Sequence, residues 1–250
     1  MPKVMLVTGA SRGIGAATAR LAGQRGYAVV VNYFGRRDAA DAVVADIENA
    51  GSRALAVQGD VADESAVKAL FATIDKAFGS LDVLVNNAGI VQRLARPEEI
   101  SKARLERMFG VNVFGTILCA GEAVRRMSHR HGGNGGIIVN ISSIAAYHGG
   151  PNDNIDYAAT KGAVDSLTWG LAKQVAAEGI RVNAVRPGMT YSDIHASVGE
   201  PDRVDRVAPT IPLRRGGKAE EIAEAVLWLC SDAATYCTGT IIDVHGGRSL

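Results

Sequence analysis

The stretch "VTGASRGIGAATA", residues 7–19, follows a short apolar run and leads into a helical pattern. Gly9, Gly13 and Gly15 omit the side chains that would keep a phosphate away from the backbone, and the following helix start offers free N–H groups. The spacing is G-x-x-x-G-x-G rather than the G-x-G-x-x-G of the general dinucleotide fingerprint. The glycines alone are weak evidence. Their position in the first strand-to-helix turn of an alternating chain predicts a dinucleotide site, because pyrophosphates bind at that turn.

The rest of the chain alternates short β-branched runs with longer helical patterns. Predicted strands lie at 3–8, 28–33, 54–61, 81–89, 135–143, 180–188 and 238–247, and predicted helices at 14–26, 39–51, 64–79, about 98–127, about 156–177 and 219–232. This alternation predicts a parallel sheet covered on both faces. We therefore predict an α/β fold: one Rossmann domain over residues 1–250, with a doubly wound parallel sheet of about seven strands. The irregular segment at about 189–218 is predicted to be a substrate-binding lid within it.

Composition and charge exclude several classes of function. The 250-residue chain has a formal net charge of +1 and no basic block, so neither nucleic acid nor a membrane is expected as a partner. No apolar run reaches the length of a membrane span. Cys119, Cys230 and Cys237 lack disulfide or zinc spacing, which favours a reducing, cytoplasmic location. No metal is predicted, because no ligand spacing is found among the scattered histidines, which are His129, His131, His148, His195 and His245.

Several motifs occur in the order and spacing of a known family. They are "TGASRGIG", "NNAG" (86–89), Asn112 in "GVNVFG", "NISS" (140–143), "YAATK" (157–161), "RVNAVRPG" and the terminal "TGTIIDVHGG". Over essentially its whole length the chain resembles the short-chain dehydrogenases/reductases, and within them the glucose/ribitol-type branch that acts on sugars or polyols. The resemblance implies a homotetramer in which the helix at 98–127 and the helix carrying Tyr157 pack against their mates.

The end of the second predicted strand, "VVVNYFGRRD", bears on the choice of dinucleotide. An NAD site usually has an acidic residue there for the ribose 2′-OH, but this chain has Asn32. Arg12, Arg36 and Arg37 lie nearby in sequence, and guanidinium groups suit a 2′-phosphate. In the family, arginines at these places imply NADP; NAD is also possible. The alternative is that Arg36 and Arg37 are solvated loop charges.

The resemblance also implies which residues hold the cofactor. An aspartate in "GDVAD", Asp60, looks like the family's residue that bonds the adenine amino group, and "NNAG" is expected beneath the nicotinamide ribose. Ser192 is a further candidate beyond the sixth strand. The predicted cofactor-binding set is Gly9, Ser11, Arg12, Gly13, Ile14, Gly15, Asn32, Arg36, Asp60, Val61, Asn87, Ala88, Gly89, Tyr157, Lys161, Pro187, Gly188 and Thr190.

Tyr157 and Lys161 are four residues apart and therefore share a helix face. A free tyrosine has a pKa near 10 and is a poor base at neutral pH. An ammonium about 4 Å from its phenolate stabilises that form by roughly 4 kcal/mol at an effective dielectric constant near 20. This energy corresponds to a pKa about 3 units lower, near neutrality. We predict that Tyr157 exchanges a proton with the substrate oxygen and that Lys161 is its electrostatic partner.

Two further polar residues complete the predicted catalytic set. Ser143 follows a strand end and is predicted to bond the substrate oxygen; its neighbour Ser142 is the alternative, and it points to the opposite face if the strand continues. The loop between this strand and Tyr157 is one residue longer than is usual in the family. Asn112 lies inside a predicted helix, although asparagine is a poor helix former. In the family this asparagine bends the helix and holds a water in a proton relay to the lysine.

The predicted function is hydride transfer between a nicotinamide cofactor and a small-molecule alcohol or carbonyl compound. NADP is the favoured cofactor, and a sugar or polyol is the favoured substrate. A 3-oxoacyl carrier-protein reductase is the alternative enzyme, for which "RRMSHRH" (125–131) supplies basic residues. A dinucleotide-binding sensor or scaffold without turnover is the alternative outside enzymes. His148 and His195 fall in the loops expected to border the substrate, but the interpretation as surface loop histidines is favoured over substrate contact.

Overall fold

The computed structural model describes residues 2–150 and 154–248. Its sheet has seven parallel strands in the spatial order β3-β2-β1-β4-β5-β6-β7. The strands are β1 (Val4–Val7), β2 (Ala28–Tyr33), β3 (Ala54–Gln58), β4 (Val83–Asn86), β5 (Gly136–Ile141), β6 (Ile180–Pro187) and β7 (Ile241–Val244). The predicted doubly wound Rossmann fold is confirmed, with strand ends a few residues shorter than predicted at β3, β4 and β7.

Ten α-helices can be labelled within the described residues. They are α1 (Gly13–Gln24), α2 (Arg37–Asn49), α3 (Glu64–Phe78), α4 (Lys102–Phe109), α5 (Gly115–Met127), α6 (Ala145–His148), α7 (Ile155–Val175), α8 (Asp193–Ala196), α9 (Arg203–Val207) and α10 (Ala219–Leu229). The short helices α6, α8 and α9 were not predicted from the sequence, and the last two lie within the segment 189–218 that was expected to be irregular. No helix among the described residues is long and apolar enough to cross a membrane.

The two faces of the sheet contribute to two separate hydrophobic cores. Met5 and Val7 of β1 pack with α1, α2 and α10, whereas Val4 and Leu6 pack with α3, α5 and α7. Every residue of β1 is therefore buried, which explains why the strand reads as a continuous apolar run. This arrangement leaves the strand ends as the part of the sheet that a ligand can reach.

The order of the strands reverses at β1, which lies between β2 and β4. In open parallel sheets, ligands bind in the crevice outside the carboxyl ends of the strands at such a switch point. The glycine turn follows β1, the "NNAG" segment ends β4, and the serine pair follows β5. The topology thus collects the predicted motifs at one edge of the sheet.

The prediction of one uninterrupted helix over 98–127 is wrong. The chain forms α4, then a π-helical segment at Gly110–Phe114, and then α5. Asn112 lies inside the π-helical segment, where wider turns are typical of functional sites. At the start of α5 the backbone approaches Val61 so closely that a Cβ on Gly115 would lie 2.7 Å from the Val61 Cγ2.

The segment 189–218, predicted to be a lid, has its two ends tied together. Thr190 and Gly217 form a parallel β-bridge, and α8 and α9 lie between them. The segment passes over the glycine turn, since a Cβ on Gly13 would lie 3.4 Å from the Ser192 Cβ. Its role as a lid stays a prediction.

Candidate active site

A cavity of about 710 Å³ opens at the carboxyl edge of the sheet. All the predicted cofactor-binding residues except Gly15 line it, and so do Ser142, Ser143 and Ser192. His148 and His195 also line it, as the positions of their loops predict. Gly15 and Asn112 lie behind the wall, where they support lining residues. The loop before Tyr157 is described only in part, because residues 151–153 lie outside the described residues.

The glycine turn is held tightly against the "NNAG" segment. Gly9 has a φ of 61°, and a Cβ there would lie 2.9 Å from the Ala88 Cα. The Asn87 amide donates to the carbonyls of Thr8 (2.9 Å) and Gly9 (3.0 Å). A Cβ on Gly15 would lie 2.4 Å from the Asn87 Nδ2 and 2.6 Å from the Gly9 carbonyl oxygen; because the second contact is to backbone, alanine does not fit there. The glycines serve both ligand approach and the packing of the turn on β4.

Asn32 is buried and organises this turn from β2. Its Oδ1 accepts from the Gly9 N–H at 3.2 Å, and its Nδ2 donates to the carbonyls of Val57 (3.3 Å) and Gly59 (3.1 Å). The position where an NAD site usually has an acid is therefore taken by a neutral amide with structural partners. Asn32 lines the cavity while its polar atoms are used within the fold.

The arginines near the turn differ in position. Arg12 and Arg36 are exposed and line the cavity. Arg37, in contrast, begins α2, pairs with Asp41 at 3.4 Å and is not among the lining residues. The alternative interpretation, a solvated surface charge, therefore fits Arg37, whereas Arg36 is exposed but lines the cavity and its role stays a prediction.

The sequence interpretation missed two residues at this end of the cavity. Arg107 of α4 donates to the Asp60 Oδ2 at 2.8 Å, and its guanidinium carbon lies 5.4 Å from the centre of the Phe34 ring. Phe34 directly follows β2, is 61% exposed and lines the cavity. No local sequence signal marks either residue, because the exposure of Phe34 is seen only in the structure and Arg107 meets Asp60 across 47 residues.

Lys161 is almost completely buried beside Tyr157. Its Nζ donates to the Ile141 carbonyl at 2.7 Å and lies 5.6 Å from the centre of the Tyr157 ring. Burial lowers the pKa of Lys161 to about 8, although the charge of Asp165 acts in the opposite direction. The ammonium is therefore fixed in a low-dielectric position next to the tyrosine ring.

Asn112 holds the backbone that faces this lysine. Its Oδ1 accepts from the Ile90 N–H (2.8 Å), and its Nδ2 donates to the Ile90 carbonyl (2.9 Å) and to the Thr160 hydroxyl (3.1 Å). A Cβ on Gly89 would lie 3.5 Å from the Lys161 Nζ and 3.6 Å from the Asn112 Oδ1. Asn112 thus joins the π-helical segment, the loop after β4 and α7 around the lysine.

The two serines have different surroundings, because β5 ends at Ile141 and does not continue through them. Ser142 is buried, and its hydroxyl donates to the Lys161 carbonyl at 3.3 Å. Ser143 is half-buried, and its Oγ accepts from the Ala145 N–H at 3.1 Å. Ser143 retains a hydroxyl hydrogen for a ligand in the cavity, which agrees with its predicted role.

Among residues 2–150 and 154–248, no group of three or more histidine, cysteine or carboxylate side chains lies close enough together to hold a metal ion.

Burial raises the pKa of Cys119 and of Cys230 to about 12, so both thiols are protonated at neutral pH. The chemistry that this arrangement supports is proton exchange by a tyrosine beside a lysine, next to a phosphate-binding turn.

Comparison with known proteins agrees with this geometry. A family model described as enoyl-(acyl carrier protein) reductase matches residues 9–249. A short-chain dehydrogenase from Burkholderia cenocepacia, solved in complex with NADP, shares 34% identity and superimposes with a TM-score of 0.91, over 99% of this chain and 98% of that one. The chain belongs to the short-chain dehydrogenase/reductase family.

Other similar proteins show the range of this family. An uncharacterised oxidoreductase of Escherichia coli K12, YgfF, is 52% identical to this short-chain dehydrogenase/reductase, over 98% of this chain and 99% of that one. A cis-4-hydroxycyclohexanecarboxylate dehydrogenase of Sinomonas cyclohexanicum is 44% identical, over 98% and 96%. A 3-ketoacyl-(acyl-carrier-protein) reductase of Brucella melitensis, solved with NADH, has a TM-score of 0.91 at 34% identity, over 99% and 98%.

These comparisons confirm the predicted family and the predicted class of oxidoreductase acting on alcohol or carbonyl groups. A nicotinamide dinucleotide is confirmed as the cofactor at the level of the family, since both structural neighbours were solved with one. The names of the relatives cover a cyclic hydroxy acid and a carrier-bound ketone, so family membership alone leaves the substrate of this short-chain dehydrogenase/reductase open.

Proposed function

We propose that this protein transfers a hydride between NADP and a small alcohol or carbonyl compound, with Tyr157 as the proton donor and acceptor. The observation that supports this most is the buried Lys161 ammonium, 5.6 Å from the Tyr157 ring in a cavity that the glycine turn lines. The nicotinamide, when bound, supplies the hydride. The residues of the chain orient both reactants and move the proton.

Each residue has a role that follows from its surroundings. The Lys161 ammonium favours the phenolate of Tyr157 through its charge, so the tyrosine accepts a proton from an alcohol near neutral pH. In reduction the same hydroxyl donates its proton to the carbonyl oxygen. Ser143 orients that oxygen, and Asn112 keeps the backbone around Lys161 in place. Helix N-terminal N–H groups after Gly13 suit the pyrophosphate.

NADP is favoured over NAD because the end of β2 offers a neutral, internally bonded Asn32 and an exposed Arg36 instead of an acid. A 2′-phosphate paired with Arg12 and Arg36 gains charge-assisted hydrogen bonds. We expect Arg36→Ala to weaken binding of 2′,5′-ADP about tenfold, which is about 1.4 kcal/mol, and to leave AMP binding unchanged. Arg37→Ala is the matched control. Equal loss for both ligands would contradict the assignment of the 2′-phosphate to Arg36.

A sugar or polyol remains the proposed substrate, supported by the polar composition of the segment 189–218 over the cavity. The carrier-protein alternative needs basic residues near the cavity mouth. The basic segment 125–131 lies between the end of α5 and the start of β5, which is the amino edge of the sheet and opposite to the cavity. Its Arg126 is also paired with Asp75 (2.7 Å) and Glu122 (2.8 Å). This placement weakens the carrier-protein alternative.

The experiment compares NADP-linked oxidation of sugars, polyols and cis-4-hydroxycyclohexanecarboxylate with NADPH-linked reduction of acetoacetyl thioesters. Tyr157→Phe is expected to lower kcat at least about 100-fold, the usual contribution of general acid–base catalysis, with unchanged dinucleotide affinity. The exposed Tyr147→Phe is the matched control. A Tyr157→Phe variant with the parental rate contradicts the mechanism. Dinucleotide binding without turnover of any compound supports the sensor instead.

We also propose a homotetramer in the cytoplasm. Exposed apolar side chains, Phe114, Ile117 and Trp169, lie on the helices that the family resemblance places at subunit contacts. The free thiols of Cys119, Cys230 and Cys237 suit a reducing compartment. Light scattering is expected to give four times the 26.1 kDa chain mass, and a monomer would contradict the assembly.

A further inference from the structure

A buried ion pair lies next to the proposed proton donor. The Arg104 Nε of α4 is 2.5 Å from the Asp156 Oδ2, and the Arg104 Nη2 is 3.3 Å from the Asp156 Oδ1. The Asp156 side chain is only 2% exposed and that of Arg104 11%. Asp156 immediately precedes Tyr157, and its Oδ1 also accepts from the Tyr157 N–H at 3.0 Å. A carboxylate is therefore held within one residue of the tyrosine by an arginine from another helix.

The same guanidinium joins three separate parts of the chain. Its Nη1 donates to the Arg93 carbonyl at 2.7 Å, in the loop that follows β4. Its Nη2 also reaches the Asn154 Oδ1 at 3.4 Å, just before α7. The loop after β4 contributes Ile90 and Val91 to the cavity wall, and the first turn of α7 contributes Tyr157. Arg104 therefore connects two walls of the cavity without lining it.

A buried, charged carboxylate one residue from a general acid/base would make catalysis by that tyrosine less effective. Its negative charge opposes formation of the phenolate that the Lys161 ammonium favours. A guanidinium paired with it through two nitrogens cancels that charge over the distance to the tyrosine hydroxyl. Stability alone is a poor reason for this pair, because well-packed apolar side chains often replace a buried ion pair without loss.

We propose that Arg104 is a positioning residue that acts through Asp156, because its guanidinium neutralises this carboxylate beside Tyr157 and leaves the Lys161 ammonium to set the acidity of the tyrosine. This inference rests on the proposed role of Tyr157 as the proton donor and acceptor. The variants below leave unchanged the other charged or titratable groups that line the cavity and the ion pair that acts on Lys161. The lining groups are Lys161, His148, Asp193, His195, Arg203, Arg248, Arg12, Arg36, Asp60 and Arg107, and the ion pair is Asp165 with Arg186.

The test titrates Tyr157 directly by its phenolate absorbance, as the difference between each protein and the same protein carrying Tyr157→Phe. Arg104→Gln leaves the Asp156 charge uncompensated and is expected to raise the apparent pKa. Asp156→Asn leaves the Arg104 charge uncompensated and is expected to lower it. Each shift should be on the order of one pH unit, as for a unit charge about 10 Å away at an effective dielectric constant near 20.

The double variant, Arg104→Gln with Asp156→Asn, removes both charges and is expected to titrate like the parent although the ion pair is gone. Arg104→Lys keeps the charge and is also expected to titrate like the parent. Lys102→Gln on the exposed face of α4 is the matched control, since Lys102 pairs with Glu106 in solvent. These titrations need no substrate, so they are independent of whether Tyr157→Phe abolishes turnover.

Shifts of opposite sign that cancel in the double variant support the proposal. Shifts of the same sign in both single variants, or no shift in either, overturn it, because a purely structural pair would disturb the site in one direction only. If Arg104→Gln does not fold, Asp156→Asn and the double variant decide. An unchanged titration of Asp156→Asn, or a shift that persists in the double variant, then overturns the proposal.

Discussion

Replacing Lys161 by methionine is expected to stabilise the protein while it abolishes catalysis. The side chain is 4% exposed, and burial lowers its pKa from 10.5 to about 8. That difference means that folding with the ammonium buried costs about 3 kcal/mol at neutral pH. Methionine has a similar length and removes the buried charge. It also leaves the Ile141 carbonyl without its 2.7 Å donor, which costs about 1 kcal/mol.

The expected net gain at pH 7 is therefore about 2 kcal/mol, or roughly 4–8 °C in Tm for a chain of this size. The gain depends on pH in a definite direction. Below pH 8 the folded parent carries the full cost of the buried ammonium. Between pH 8 and about 10.5 only the unfolded lysine keeps its proton, so the parent becomes more stable as the pH rises. The advantage of Lys161→Met should vanish by about pH 10.

Urea unfolding without dinucleotide, at pH 7 and pH 10 and at one protein concentration, measures this difference. Lys173→Met is the control, because Lys173 is exposed on the same helix. Equal stability of Lys161→Met and parent at pH 7 would refute the reasoning, and so would an advantage of the same size at both pH values. A gain in stability with lost turnover would show that the buried lysine is kept for chemistry.

Three further variants and one thiol-labelling experiment test the site. Ser143→Ala is expected to lower kcat at least about tenfold with unchanged melting, whereas Ser142→Ala changes kcat less; the reverse order would transfer the role to Ser142. Gly15→Ala is expected to lose dinucleotide affinity and stability, the latter by urea unfolding, because its Cβ would lie 2.6 Å from the Gly9 carbonyl oxygen and 2.4 Å from the Asn87 Nδ2. Cys119 and Cys230, whose pKa burial raises to about 12, are expected to resist thiol labelling at pH 8 until the protein unfolds.

The sheet was predictable because its signals are local and repeated. Each buried strand is an apolar run, because helices cover both faces of the sheet. In each helix the apolar residues recur with a period near 3.6 residues. The interruption at Gly110–Phe114 was not predictable from periodicity, because apolar residues continue through it. Its cause is tertiary: the Asn112 amide bonds the Ile90 backbone and Thr160, which lie 22 and 48 residues away.

The residues of the candidate site that belong to a sequence motif were predictable, and most of them line one cavity. The remaining residues of the site, which belong to no motif, were not predictable. Arg107 meets Asp60 across 47 residues, and Arg104 meets Asp156 across 52. An arginine on a helix surface has the same local pattern whether it is solvated or paired, so only the fold distinguishes Arg104 from the exposed Arg37.

The charges of α7 illustrate what the fold adds. Asp156 and Asp165 both lie within five residues of Lys161 on the same helix, and sequence spacing alone does not distinguish their surroundings. In the structure each carboxylate is buried and held by an arginine from another element. Arg104 of α4 pairs with Asp156, and Arg186 of β6 pairs with Asp165 at 2.8 Å. The charge of Asp165 still opposes the lowering of the Lys161 pKa, whereas Asp156 is paired with Arg104 through two nitrogens. If the proposal for Arg104 holds, the acidity of the tyrosine depends on an arginine that no short motif contains.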